Sequence, residues 1–263
     1  MQKGNIELKV GLKGHCSESY IQEIKGLTGS NLLRSCLLFL ALTLLALSIS
    51  NLWAIYVPSR TLFDRLLHSA VSSALTFGIV PFVFTYLQID KGCRKDFLGL
   101  KPINIPSLSF LIKLIVASLV GFGLIALTSY ASNILIEHWS GTWGDYLRAL
   151  QKQAESIAFF IKQPTTLSLS IFRILVISLL TGFVEELYMR GTLQPLLIRL
   201  TKSSHWGIVL TAIIFALLHL SPAHLLPIFI YGLIFGYWRH YTGSLYPGII
   251  LHVSNNLLTL LLP

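Results

Sequence analysis

Charged residues are scarce in this sequence of 263 residues. Asp, Glu, Lys and Arg together make up 12% of it, whereas apolar residues make up 54%. Soluble domains contain about 25% charged residues, so this composition argues against a soluble protein. The mean hydropathy of +0.70 is typical of a protein whose helices cross a membrane several times.

Cysteines and acidic residues are also few. Cys16, Cys36 and Cys93 show no paired spacing and no C-x-x-C motif, which argues against a disulfide framework. Lys and Arg number 20 against 11 Asp and Glu. In a membrane protein such an excess reports cytoplasmic loops, so we expect the lipid bilayer as a partner and no nucleic acid. No cleavable signal peptide is expected, because mixed polar residues precede the first apolar run.

Long apolar runs dominate the rest of the chain. Because a membrane span needs roughly 20 residues, they predict an all-α, multi-pass transmembrane bundle of about seven spans. The runs lie near 32–57, 66–89, 107–136, 167–198, 205–221, 222–240 and 245–262. We divide the chain into a cytoplasmic tail (1–31), N-terminal transmembrane helices with their loop (32–166) and a C-terminal helical bundle (167–263). Pro195 is expected to bend or end the helix of the fourth run.

The loop at 137–166 has a helical pattern of its own. Leu147, Leu150, Ala154, Ile157 and Ile161 recur at helical spacing, and polar residues occupy the other face. This pattern predicts an amphipathic helix in the membrane interface. Two interpretations stay open, a connecting helix and a lid over a functional site.

The fourth run contains three charged residues within six positions, Glu185, Glu186 and Arg190. A charge at the bilayer centre costs roughly 2.5–3.5 kcal/mol on insertion scales, so these side chains should face a protein interior. Glu186 and Arg190 are four residues apart, which predicts a salt bridge. Glu185 points about 100° away and suits a general base or acid. The alternative is that both glutamates merely pair with Arg190 and Arg173.

Two further polar motifs follow on later helices. His219 comes four residues after Phe215, and His252 comes four residues before Asn256. Each motif alone is weak, because a helix-end histidine often caps and an asparagine in a membrane helix often bonds to a neighbouring helix. An acid pair, two imidazoles and an amide in one bundle together predict hydrolytic chemistry inside the membrane.

The motifs E-E-x-x-x-R, F-x-x-x-H and H-x-x-x-N, in this order over about residues 167–262, resemble the CPBP family, named for CAAX proteases and bacteriocin-processing enzymes. That family includes the CAAX prenyl endopeptidases of the Ras-converting type. Met189 departs from the pattern, since many members carry Phe before the Arg-Gly pair, but no polar role is lost. The resemblance implies an intramembrane endopeptidase of CAAX-type or bacteriocin/propeptide-type processing. It would act on a peptide or protein substrate in a bacterial-type plasma membrane.

The resemblance also assigns site residues: Glu185, Glu186, Arg190, His219, His252 and Asn256. In a metal-free version, Glu185 and His219 activate a water, while His252 and Asn256 donate hydrogen bonds to the oxyanion. Glu186 and Arg190 hold Glu185 in place. In a metal version, Glu185, His219 and His252 bind zinc and leave a position for water. The ligands would lie on three separate helices without an H-E-x-x-H motif, so the metal-free version is slightly favoured.

Two other function classes stay open. Intramembrane acids and proline-broken helices also mark ion pathways, so a proton-coupled transporter is one alternative, although no repeat pairs the two halves. A non-catalytic membrane scaffold that binds a partner protein is the other, because an intact site does not prove turnover. The sequence leaves the oligomeric state and the substrate's identity open.

Orientation yields the first testable prediction. With seven spans, twelve Lys and Arg fall on the N-terminal side and five on the opposite side, which places residues 1–31 in the cytoplasm. The twelve are Lys3, Lys9, Lys13, Lys25, Arg34, Lys91, Arg94, Lys95, Lys101, Arg199, Lys202 and Arg239, and the five are Arg60, Arg65, Arg148, Lys152 and Lys162. A cysteine probe near the N-terminus should resist impermeant labelling on intact cells. Ready labelling from outside would contradict this topology.

Overall fold

The protein is built from helices joined by short connections. The structure, a computed structural model, describes residues 30–103 and 107–261, and within these ranges there is no strand. The helices are α1 (Ser30–Tyr56), α2 (Leu62–Gln88), α3 (Arg94–Leu98), α4 (Leu108–His138), α5 (Thr142–Lys162), α6 (Leu167–Thr201), α7 (Ser204–Leu217), α8 (Leu225–Thr242) and α9 (Tyr246–Leu261). The all-α prediction is confirmed. The predicted cytoplasmic tail lies outside the described residues, apart from its last two positions.

Four helices in the described ranges are long and apolar enough to cross a membrane, namely α1, α2, α4 and α6. Each of the seven predicted apolar runs forms a helix, but the last three are shorter or less apolar. Helix α7 has 14 residues and α9 has 16, fewer than the roughly 20 that a span needs. Helix α8 has 18 residues but carries Arg239 and His240 in its last turn. The count of about seven spans is therefore not confirmed.

Hydroxyl side chains mark several helix starts. Thr61 accepts a hydrogen bond from the Asp64 amide, and the Asp64 carboxylate accepts one from the Thr61 amide, which forms a capping box at α2. Ser203 caps α7 in the same way by accepting from the Trp206 amide. The break between α6 and α7 thus takes only two residues, which brings the two helices side by side.

Helix α6 contains two wide π-helical turns, Leu175–Leu180 and Met189–Leu193. The second ends two residues before Pro195, and the helix continues past the proline to Thr201. Of the two predicted outcomes at Pro195, a bend or an end of the helix, the end does not occur. A wide turn already interrupts the regular hydrogen-bond ladder where proline lacks its donor, so the chain continues in helical form. Such turns are frequent at functional sites, and the two glutamates lie between them.

Glycines let the neighbouring helices approach closely. A Cβ at Gly182 of α6 would lie 2.8 Å from Val253 Cγ2 of α9, and a Cβ at Gly232 of α8 would lie 2.8 Å from the Cβ of Ala212 in α7. Both distances are shorter than real Cβ contacts, so only glycine fits at these two crossings. Helices α7, α8 and α9 consequently pack around the central part of α6.

The loop helix predicted at 137–166 is present as α5. It begins at Thr142, and the Arg148 guanidinium donates hydrogen bonds to the Ile136 and Trp139 carbonyls at the end of α4. On its inner face the buried Gln151 accepts a hydrogen bond from the Ala223 amide. Helix α5 is thereby fixed to the connection between α7 and α8. Its place in a membrane interface stays a prediction.

Candidate active site

The centre of the site is a buried ion pair on α6. The Glu186 and Arg190 side chains are both 0% exposed, and Arg190 Nη1 donates to Glu186 Oε1 across 2.6 Å. The four-residue spacing predicted this salt bridge, and the prediction is confirmed. Removing two charges from water costs several kcal/mol per ion unless further polar partners are supplied. The surroundings of the pair supply several such partners, while Glu186 Oε2 and Arg190 Nε have no hydrogen-bond partner among the described residues.

Helices α7 and α8 complete the environment of Arg190. Its Nη2 donates to the Gly232 carbonyl across 3.2 Å. The guanidinium carbon lies 4.4 Å from the centre of the Phe215 ring and 5.2 Å from that of Phe235. Aromatic faces attract a cation in this arrangement, and the attraction grows when water is excluded. Arg190 therefore connects α6 to α7 and α8.

His252 on α9 contacts both glutamates. Its Nδ1 lies 3.2 Å from Glu186 Oε1, and its Nε2 lies 3.7 Å from Glu185 Oε2. Gly248 makes room for this approach, since a Cβ there would lie 2.8 Å from Glu186 Oε2. The imidazole also stacks on Phe235 with ring centres 5.5 Å apart and planes 25° from parallel. The position of the His252 ring is thus defined by its contacts with Glu186 and with Phe235.

The ion pair determines which ring nitrogen of His252 carries the proton. A carboxylate held by Arg190 can only accept a hydrogen bond, so Nδ1 of His252 must be the donor to Glu186. The other ring nitrogen, Nε2, then faces Glu185 and can take up or release a proton. The Glu185 side chain is 13% exposed, and its Oε2 has no hydrogen-bond partner among the described residues. Glu185 and His252 form a pair that can exchange protons.

The other two predicted site residues lie differently. His219 is exposed beyond the end of α7, with its Nδ1 2.8 Å from the Phe215 carbonyl oxygen and its ring against the Phe215 ring. Phe215 also contacts His252, with ring centres 5.7 Å apart, so this ring packs against both histidines. Asn256 is half-buried and donates from Nδ2 to the Ile177 carbonyl across 3.2 Å. It connects α9 to a wide turn of α6.

The geometry does not assemble the zinc site considered from the sequence. Within residues 30–103 and 107–261, no three His, Cys, Asp or Glu side chains are grouped so that they could hold a metal ion. Glu185 and His252 are close together, but His219 is exposed, and its Nδ1 is taken up by the Phe215 carbonyl oxygen. As positioned, Glu185, His219 and His252 do not fit a zinc ion.

A comparison with protein families identifies the region that carries this site. Residues 167–258 match the family described as type II CAAX prenyl endopeptidase Rce1-like. The predicted resemblance to the CPBP family is confirmed. The Rce1-like region begins with α6 and ends within α9, so it contains every predicted site residue. The match supports a protease of the CAAX type. Neither a curated protein nor a solved structure matches the chain significantly.

The Rce1-like region also contains contributors that the sequence analysis missed. Phe235 is 1% exposed and lies against both Arg190 and His252. Gln194 is 2% exposed and donates to a carbonyl of α8. A signal for Gln194 was present in the sequence, because Glu186, Arg190 and Gln194 follow one another in steps of four. The sequence contained no such signal for Phe235, because one more apolar residue in an apolar helix does not stand out.

The burial of the ion pair leads to a stability prediction. Glu186→Gln leaves the Arg190 charge buried without its counter-ion, so the free energy of unfolding should fall by about 3–5 kcal/mol. Asp145→Asn is the matched control, because Asp145 and Arg148 also lie 2.6 Å apart but Asp145 is 77% exposed. That exposed pair should contribute only about 0–1 kcal/mol. Unfolding of both variants in the same detergent is the measurement, and equal losses would contradict a special role for the buried pair.

Proposed function

We propose that the protein is an intramembrane endopeptidase that hydrolyses a peptide bond of a CAAX-type substrate near the membrane surface. The Rce1-like match of residues 167–258 supports the class of reaction. A buried histidine that faces a partly buried glutamate supports the chemistry, because hydrolysis needs a base for water and an acid for the leaving amine. Glu185 and His252 are the groups that we assign to these tasks.

One observation carries the proposal: Glu185 Oε2 and His252 Nε2 face each other across 3.7 Å. This distance is too long for a strong direct hydrogen bond and suits two groups that hold one water between or beside them. Glu186 fixes the orientation of His252 through Nδ1, as the acid of a catalytic triad orients its histidine. The arrangement Arg190–Glu186–His252–Glu185 is therefore an orienting pair followed by a reacting pair.

In the proposed reaction, Glu185 and His252 take one proton from water and later return it to the leaving nitrogen. A water held by Glu185 and His252 gives one proton to this pair as its oxygen attacks the carbonyl carbon of the substrate. The carbonyl π bond opens and an oxyanion forms. The oxyanion then reforms the carbonyl, the C–N bond breaks, and the same proton passes to the departing nitrogen. General acid–base assistance of this kind contributes about 10²- to 10⁴-fold to a rate.

His219 and Asn256 take supporting roles in this proposal. From its exposed place at the end of α7, His219 is suited to contact the substrate and donate a hydrogen bond to the oxyanion or the leaving group. One amide proton of Asn256 is used by the Ile177 carbonyl, and the second can also donate. The family pattern predicts Glu185 with His219 as the reacting pair. The contact between Glu185 and His252 favours His252 as the partner instead.

The central test is the removal of the proposed base. Glu185→Gln keeps the shape of the side chain and abolishes proton uptake, so cleavage should fall at least about 100-fold while the melting temperature stays near that of the wild type. Glu137→Gln, at the exposed end of α4, is the matched control and should cleave normally. The assay follows cleavage of a prenylated CAAX peptide by purified protein in detergent micelles.

Two outcomes would contradict the proposal. Near-normal cleavage by Glu185→Gln would mean that this carboxylate is not the base. A well-folded wild type that binds the prenylated peptide and never cleaves it would favour the scaffold alternative.

A further inference from the structure

We propose that Gln194 is a positioning residue, which holds α8 against α6 so that Phe235 keeps the His252 ring in place for the reaction. This inference rests on the proposed function, in which His252 and Glu185 handle the proton. Gln194 contacts neither of them among the described contacts. Its influence would pass through α8.

Two side chains of α6 hold two carbonyls of α8. Arg190 Nη2 donates to the Gly232 carbonyl across 3.2 Å, and Gln194 Nε2 donates to the Gly236 carbonyl across 3.0 Å. The donors are four residues apart on one helix, and the acceptors are four residues apart on the other. Since Gln194 and Arg190 are 2% and 0% exposed, these hydrogen bonds form away from water. Together they fix both the distance and the register between α6 and α8.

Phe235 lies on α8 between these two attachment points. Its ring is 1% exposed, stacks on His252 and also contacts the Arg190 guanidinium. A shift of α8 along α6 would therefore carry this ring away from the imidazole. The direction of His252 Nε2 relative to Glu185 depends on that stacking.

Helix α8 presents Gly232 and Gly236 to α7, where a Cβ would lie 2.8 Å from Ala212 Cβ and 2.7 Å from Ile208 Cγ2. A glycine surface allows close approach without interlocking knobs, so the hydrogen bonds from α6 add a defined register to this contact. A Cβ at Gly236 would also lie 3.0 Å from Gln194 Oε1, so the Gln194 amide lies directly against the α8 backbone. Gln194 Oε1 has no hydrogen-bond partner among the described residues. Burial of such an unpaired group costs stability.

The first test is the Gln194→Met variant, which keeps the volume of the side chain and loses the donor. Misplaced reacting groups lower turnover by up to about 100-fold, so kcat should fall roughly 10- to 100-fold with KM nearly unchanged. Thr85→Val is the matched control. Thr85 is 1% exposed and donates only to Pro81 of its own helix, α2. It should lower the melting temperature without lowering kcat.

The second test does not need catalysis. Melting temperatures in detergent are compared for Gln194→Met, Phe235→Leu and the double variant. If both residues act through the placement of α8, the losses should be clearly less than additive, because the second change removes what the first has already loosened. If the wild type does not cleave the substrate, the proposed function is contradicted. The comparison of the three melting temperatures would still show whether Gln194 and Phe235 act together. Additive losses, or a kcat that falls no further than in Thr85→Val, would overturn the positioning role.

Discussion

The structure depends on the need to satisfy one buried ion pair. Glu186 and Arg190 lie on the central helix without contact with solvent, and a charge left alone there would cost several kcal/mol. Each neighbouring helix contributes groups that stabilise these charges. Helix α7 provides an aromatic face, α8 a carbonyl oxygen and a second aromatic face, and α9 the imidazole of His252. The same contacts that compensate the charges also bring the candidate catalytic groups together.

The two adjacent glutamates consequently have different surroundings. Glu186 shares Oε1 between Arg190 and His252, so its carboxylate is held from two sides. Glu185 has only the more distant His252 nitrogen opposite its Oε2. A structural carboxylate beside a reactive one is a common way to give two identical side chains different roles. Here the difference follows from helical geometry, because neighbouring residues point about 100° apart.

The sequence was informative about contacts within a helix and uninformative about contacts between helices. Spacing predicted the salt bridge of Glu186 with Arg190, and hydropathy predicted the helices themselves. Neither spacing nor hydropathy shows whether His219 or His252 lies opposite Glu185, because that depends on how three helices cross. The crossings depend in turn on glycines such as Gly248, whose lack of a side chain leaves no signal in a hydropathy pattern. Run lengths also could not settle the number of spans, since an apolar run shorter than a bilayer packs equally well against other helices.

The central claim is that His252 carries a proton on Nδ1, donates it in a hydrogen bond to Glu186, and thereby directs Nε2 towards Glu185. The most direct measurement is nitrogen-15 NMR of the protein labelled at histidine, in detergent micelles, with the His252 signals assigned by their loss in His252→Gln. We expect a protonated Nδ1 whose hydrogen exchanges slowly with water, and we expect that protection to disappear in Glu186→Ala. A His252 that carries its proton on Nε2 alone, or an Nδ1 signal unchanged by Glu186→Ala, would contradict the account.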